Sequence, residues 1–165
     1  MSLVEPDDPD SDWLYVINVQ RNIGPMGLPL TKPPYRRITA IDLNTGEHVW
    51  QTPFGRGPAN HPLLEHLDLP DLGSVFTDVS AEGGILITKS LVISHLPQKD
   101  EVDEDADGSV LVAYDKLTGE KVGEVLVDRR LHGPVMSYLY EGKQYIAIAG
   151  GRFDTAEMIS FALPD

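Results

Sequence analysis

Cysteine is absent from this 165-residue chain. Disulfides, thiolate zinc sites, iron–sulfur clusters and cysteine nucleophiles are therefore excluded. Basic residues are scarce. Thirteen Lys and Arg stand against twenty-six Asp and Glu, giving a formal charge of −13 and a pI near 4.6. That balance argues against a sequence-independent grip on nucleic acid, which needs clustered cations. It argues equally against an anionic membrane surface. No apolar run approaches the roughly 18 residues of a membrane helix. The opening residues lack the charged, apolar and small-residue zones of a signal peptide. Met1-Ser2-Leu3 reads as a scar left by an expression vector before Val4. There is no G-x-S-x-G elbow, P-loop, G-x-G-x-x-G or H-E-x-x-H.

Glycine and proline, by contrast, are plentiful at fifteen and thirteen residues. They punctuate short runs rich in Val, Ile, Leu, Thr and Tyr, which is the all-β pattern. No long window keeps a helical 3.6-residue period. The stretch 59–69 has room for a turn or two of helix, and its prolines keep it short. Residues 1–11 are acidic and proline-containing and read as a disordered segment. Strands are expected at 12–19, 37–42, 47–51, 84–88, 91–95, 109–115, 120–127, 134–140, 144–149 and 158–163. Hairpins fall at Asn44-Thr45-Gly46, Thr118-Gly119 and Glu141-Gly142. Long loops fill 20–34, 55–73 and 97–108.

An internal repeat lies inside this pattern. Ile38-Thr-Ala-Ile-Asp-Leu-Asn-Thr-Gly-Glu-His-Val-Trp50 aligns with Leu111-Val-Ala-Tyr-Asp-Lys-Leu-Thr-Gly-Glu-Lys-Val-Gly123, with six of thirteen positions identical and an offset of 73 residues. A propeller blade takes about 40–50 residues, so the offset fits one blade carrying the loops 55–73 and 97–108. Ala40 and Ala113 suit packed strands. Asp42 and Asp115 can accept hydrogen bonds from turn N–H groups. Gly46 and Gly119 can supply positive φ. Trp50 offers a flat wedge between sheets and an indole N–H that needs an acceptor. Gly123 stands where the second copy would carry that tryptophan.

The string Ala-x-Asp-x-x-Thr-Gly-x-x-x-Trp at 40–50 resembles the tryptophan docking motif of quinoproteins. These are the dehydrogenases dependent on pyrroloquinoline quinone (PQQ), built as eight-bladed β-propellers. Lys32 to Trp50 is similar to the approach to a late blade in the glucose-dehydrogenase-like branch. His61-Pro62, Leu67-Asp-Leu-Pro-Asp-Leu-Gly73 and Leu86-Ile-Thr-Lys-Ser-Leu91 resemble the loop and strands that follow. Gly133-Pro-Val-Met-Ser-Tyr138 and Gly142-Lys-Gln-Tyr-Ile-Ala-Ile-Ala-Gly-Gly151 resemble the closing blade, and Ser160-Phe-Ala-Leu-Pro164 the C-terminal end. The resemblance runs in family order from about residue 27 onward.

It implies that residues 12–165 form about two and a half four-stranded blades, an open fragment of the eight-bladed fold. Residues 12–54 would give three strands of one blade, 84–127 a whole blade and 134–163 three strands of a last one. An eight-bladed ring needs at least roughly 320–360 residues. The family's catalytic aspartate, its Lys or Arg partner, the calcium ligands and most quinone contacts lie upstream of the matching region. No catalytic residue and no metal ligand is therefore carried onto this chain. Leu72, Gly73 and Ser74 match a stretch that runs near the quinone face and are the candidate cofactor-binding residues. PQQ and Ca²⁺ belong to the parent family, and this chain alone is expected to bind neither and to be inactive. The parent would oxidise a sugar or alcohol hydroxyl by hydride transfer to the quinone, in the periplasm. Open edges and apolar blade faces invite self-association or a partner supplying the missing blades. Two other readings are a non-catalytic propeller-repeat module for protein binding, and a homo-oligomer that closes its own ring.

Other chemistry-bearing residues are weaker signals. Asp103-x-Asp105-x-Asp107-Gly108 opens like a calcium loop, but Leu111 and Tyr114 stand at the closing ligand positions. It reads as a solvated acidic loop. His61, Glu65 and His66 lack a third fixed ligand, and Pro62 interrupts any helix that would align them. His132 reads as a satisfied turn histidine. Asp128-Arg129-Arg130 and Arg36-Arg37 read as solvated turns.

Overall fold

A computed structural model describes residues 2–4, 16–18, 24, 26, 28–55, 57, 61–74, 84–97, 108–151 and 155–162. The chain divides into two compact units, 1–32 and 33–165. In the first, strand β1 (Ser2–Val4) pairs antiparallel with β2 (Val16–Asn18), with Leu3 opposite Ile17. Of the segment 1–11, expected to be disordered, the described residues are Ser2–Val4. Local composition disfavours order there, but a ladder with a strand a dozen residues away satisfies the backbone groups of 2–4. Of the strand expected at 12–19, Val16–Asn18 is described, as β2.

The second unit is built from three antiparallel sheets. The first holds β3 (Arg37–Ile41) and β4 (His48–Pro53). The second has four strands in sequential order: β5 (Leu86–Ile87), β6 (Leu91–Pro97), β7 (Ser109–Asp115) and β8 (Lys121–Val127). The third runs β9 (Leu131–Tyr140), β10 (Lys143–Gly150) and β11 (Glu157–Ala162), also in sequential order. The second and third are up-and-down meanders, the blade topology expected for 84–127 and 134–163. Among the described residues of the 59–69 stretch, the helical content is one 3-10 turn, Glu65–Leu67. Strand β9 begins at Leu131, ahead of the expected 134, because Leu131 and His132 pair with Gly150 and Ala149.

The period of two decides where the core lies. Strands β6 and β7 are buried on both faces, so they read as nearly continuous apolar runs. Val92, Leu96, Val112 and Tyr114 face one way and pack with Ile38, Phe54 and Trp50 of the first sheet region. Ile93 and Leu111 face the other way and pack with Leu131, Val135 and Ile148 of the third sheet. Each such buried side chain contributes roughly 1.5–3 kcal/mol of transfer free energy. Strand β8 lies at the outer edge and is exposed up to Val127. The four-stranded sheet is thus the middle layer, stacked through side chains on a neighbour at each face.

Candidate functional site

The two repeat copies fold on the same turn framework. The Asp42 N–H donates to Glu47 O at 2.9 Å, and the Gly46 N–H to Asp42 O at 2.7 Å. In the second copy Asp115 N–H donates to Glu120 O at 2.8 Å, and Gly119 N–H to Asp115 O at 2.9 Å. The aspartate carboxylates accept turn N–H groups: Asp42 from Asn44 at 2.7 Å, Asp115 from Leu117 and Thr118 at 2.8 and 2.9 Å. These bonds hold the Asp115 carboxyl below its ordinary value, with the Thr118 and Leu117 N–H groups the largest causes. Thr45 and Thr118 each accept the N–H two residues on, both at 3.2 Å. Gly46 and Gly119 share φ of +75°. Both hairpins carry a bulge at the same place, after Ala40 and after Ala113.

Trp50 does what its residue type suggested. Its indole N–H donates to Lys116 O at 3.0 Å, across from the first sheet to the second. The six-membered ring lies on Gly119, where an added Cβ would stand 2.5 Å from Cε3. Glycine is needed at 119 twice over, for the positive φ and for the indole above it. At the opposite face of the middle sheet the linkage is different. The His95 Nε2 atom meets Gly133 O at 3.0 Å, and the Leu131 N–H donates to the Ser109 hydroxyl at 3.0 Å. Gly84 lies against Pro134, 2.7 Å from an added Cβ. Polar pins and close backbone approach replace the tryptophan that Gly123 lacks.

The candidate cofactor residues Leu72, Gly73 and Ser74 are brought together as an extended segment woven into the interior. The Tyr35 N–H donates to Leu72 O at 2.9 Å, Gly73 N–H to Gly55 O at 3.1 Å, and Ser74 N–H to Phe54 O at 2.8 Å. All three residues are buried. Gly73 has φ of +78°, and a Cβ there would collide with the Arg36 carbonyl. Gly57 in turn abuts the Gly73 carbonyl, and a Cβ on Gly55 would meet Ser74 Cβ at 2.7 Å. The space that these glycines free is filled by the protein's own backbone. A flat cofactor needs an open face and cations for its carboxylates. This segment presents neither by itself, so PQQ does not fit on these three residues alone.

Arg36 is better used than a solvated turn residue. Its guanidinium lies 4.8 Å above the centroid of the buried Phe54 ring, a cation–π contact of ~0.5–2 kcal/mol. Phe54 in turn tilts against Tyr114, with centroids 6.4 Å apart. Burial pushes the Tyr114 hydroxyl up to about 12, with Asp71 and Glu124 adding to the shift. His132 is satisfied as expected, with Nε2 2.8 Å from Gly151 O. Arg129 pairs with Asp128 and Glu157 at 3.1 and 3.0 Å on the surface, where ion pairs contribute little. The His61 ring accepts the Leu63 N–H at 3.2 Å, opening the short 3-10 segment. No group of three metal-ligating side chains occurs among the described residues. Asp103, Asp105 and Asp107 lie outside them.

Sequence reading missed His95. It is 1% exposed on the central strand β6. Burial lowers its pKa below the ordinary 6.5; the Gly133 hydrogen bond opposes this, and His132 and Arg36 reinforce it. The available signal was a histidine inside the apolar run Leu91–Pro97.

The model of the PQQ glucose/ethanol/alcohol dehydrogenase β-propeller domain matches residues 4–146. The chain belongs to this family. Among curated relatives of the PQQ family it is 28% identical over 161 residues to a probable quinate dehydrogenase (quinone) of Xanthomonas campestris pv. juglandis, covering 92% of this chain. It is 26% identical over 163 residues to the quinoprotein glucose dehydrogenase of Escherichia coli K12, again covering 92%. It is 31% identical over 147 residues to the glycerol dehydrogenase large subunit of Gluconobacter oxydans 621H, covering 84%. The chain spans 18% of the length of each of these relatives. Among the described residues no helix is long and apolar enough to cross a membrane.

Proposed function

We propose that this chain is the blade-forming C-terminal part of a PQQ-dependent sugar or alcohol dehydrogenase that works in the periplasm. The observation that carries the reading is the family match over 4–146, together with a repeat whose two copies share one turn framework and whose first copy docks its tryptophan on the second. In the whole protein the quinone would take the hydride of a substrate hydroxyl, with Ca²⁺ beside it. Leu72, Gly73 and Ser74 would back one wall of the quinone site. The Gly73 and Ser74 N–H groups are taken up by Gly55 O and Phe54 O, and the Arg36 backbone fills the space beside Gly73, so their contribution is to fix that wall rather than to grip the cofactor. The ligating groups and the base would come from other blades. The partners of this chain are accordingly further blades of the same propeller, or further copies of itself.

The test is a PQQ titration of the chain, with and without Ca²⁺, followed by tryptophan fluorescence. The reading expects no saturable quenching, because the segment that reaches toward the quinone is buried and carries no cations of its own. Saturable, calcium-dependent quenching at about micromolar quinone would overturn it. The chain would then build a complete site, and turnover with sugars and alcohols would follow.

A further inference from the structure

The two faces of the middle sheet are closed by different chemistry. Toward the first sheet the polar contact is the Trp50 indole N–H on Lys116 O, which does not titrate near neutral pH. Toward the third sheet the first four residues of β9 are strapped down by three contacts. The Leu131 N–H donates to the Ser109 hydroxyl, the His95 ring meets Gly133 O, and Pro134 lies against Gly84. Of these groups the His95 ring alone takes up a proton in the physiological range.

A carbonyl can only accept, so the His95 Nε2 carries the proton and Nδ1 the lone pair. An acid proton lands on Nδ1, in a side chain that is 1% exposed. Leu111 stands opposite on β7, and Gly133 and Pro134 of β9 bring no charge. Two charged groups act on the ring, His132 of β9 and Arg36 from the segment ahead of β3, and both oppose a second proton. No carboxylate among the described residues acts on it. The cation has no counter-charge where it stands, and it reaches water only by parting the two sheets. The chain has a joint for that movement. Gly133 has φ of +70°, and an added Cβ there would meet nothing within 4 Å, so its peptide has room to turn.

We propose that His95 is an acid-released latch between the middle and third sheets: its protonation frees the Leu131–Pro134 end of β9, with Gly133 as the hinge, while the indole seam on the other face stays shut. The ordinary value of the ring is 6.5, and burial lowers it in the closed seam. The closed form is therefore fully favoured above that pH. It loses about tenfold against the open form for each pH unit below it, until the lowered native value is reached. The inference concerns the chain's own seams and does not depend on quinone binding.

The experiment is native-state hydrogen exchange of the whole chain by NMR between about pH 8 and pH 5, corrected for intrinsic exchange rates. The Leu131 N–H reports on the latched seam and the Trp50 indole N–H on the other. Leu131 protection should hold at the alkaline end and fall by up to about tenfold per pH unit on the acid side. Protection of the Trp50 indole N–H should stay level. His95→Gln keeps a donor for Gly133 O and cannot titrate, so it should hold Leu131 protection level across the range. His132→Gln removes the neighbouring imidazole and should leave the acid fall in place. Leu131 protection that does not change with pH overturns the proposal. So does a Trp50 indole N–H that falls in step with Leu131, which would mean that the whole stack opens at once. An acid fall that survives in His95→Gln, or disappears in His132→Gln, overturns it as well.

Discussion

Gly46→Ala and Gly119→Ala make a matched pair, because the two turns share a backbone framework and only Gly119 is covered by an indole. Both glycines have φ of +75°. Alanine in that region costs ~1–2 kcal/mol, offset in part by about 0.4–1 kcal/mol from the stiffer unfolded chain. At position 46 nothing else is lost, so a net cost near ~1 kcal/mol is expected. At position 119 the new methyl would stand 2.5 and 2.6 Å from Trp50 Cε3 and Cδ2. The indole must lift, at an overpacking cost of ~1–3 kcal/mol. Its bond to Lys116 O then lengthens, losing ~0.5–1.5 kcal/mol. Gly119→Ala should therefore be less stable than Gly46→Ala by about 2–4 kcal/mol. Urea unfolding measures this, since a slope of ~1–3 kcal/mol/M converts the difference to a midpoint gap of about 0.7–4 M. Only the 119 variant should also red-shift the native tryptophan emission. Midpoints that coincide for the two variants, at equal slopes, would refute the idea that Trp50 holds the sheets together through Gly119.

His95 has a native pKa below its ordinary 6.5, chiefly through burial. Its contribution is therefore fully present above pH 6.5 and is lost as pH falls from there toward the lowered native value. Urea midpoints between about pH 5 and 8 should decline on the acid side, and His95→Gln, which retains a donor for Gly133 O, should flatten that decline; an unchanged profile would dismiss the assignment. Ser109→Ala strands the buried Leu131 N–H, at about 1–3 kcal/mol. Hydrogen exchange should accelerate at Leu131 in this variant, and wild-type protection there would show that another acceptor serves it.

Much of this architecture could be read from residues alone, for local reasons. Gly, Pro and β-branched alternation mark strand ends wherever a hairpin closes over two to five residues. Hence β3–β4, β7–β8 and β9–β10 stand close to their expected limits. The offset of 73 residues found the repeat because the same turn chemistry demands the same residues twice. An indole with one donor needs one flat contact and one acceptor, so the wedge role of Trp50 was legible too.

The partners of those features were not. Lys116 O and Gly119 became the seat of Trp50 only because two sheets stack, and no local pattern encodes that distance. The pairing of Ser2–Val4 with Val16–Asn18 was hidden for the same reason: an acidic, proline-bearing neighbourhood predicts no order, and the ladder that supplies it is non-local. His95 looked unremarkable in the sequence because burial on both faces of β6 is a property of the stack, not of the strand. Glycine 73 shows the limit most clearly. Its residue type declared a close approach, and the tertiary fold decided that what approaches is the Arg36 backbone. Short-range chemistry, written in turns and periods, was set by the sequence itself. Which face meets which, and what therefore fills each glycine's space, was settled by packing three sheets at van der Waals contact.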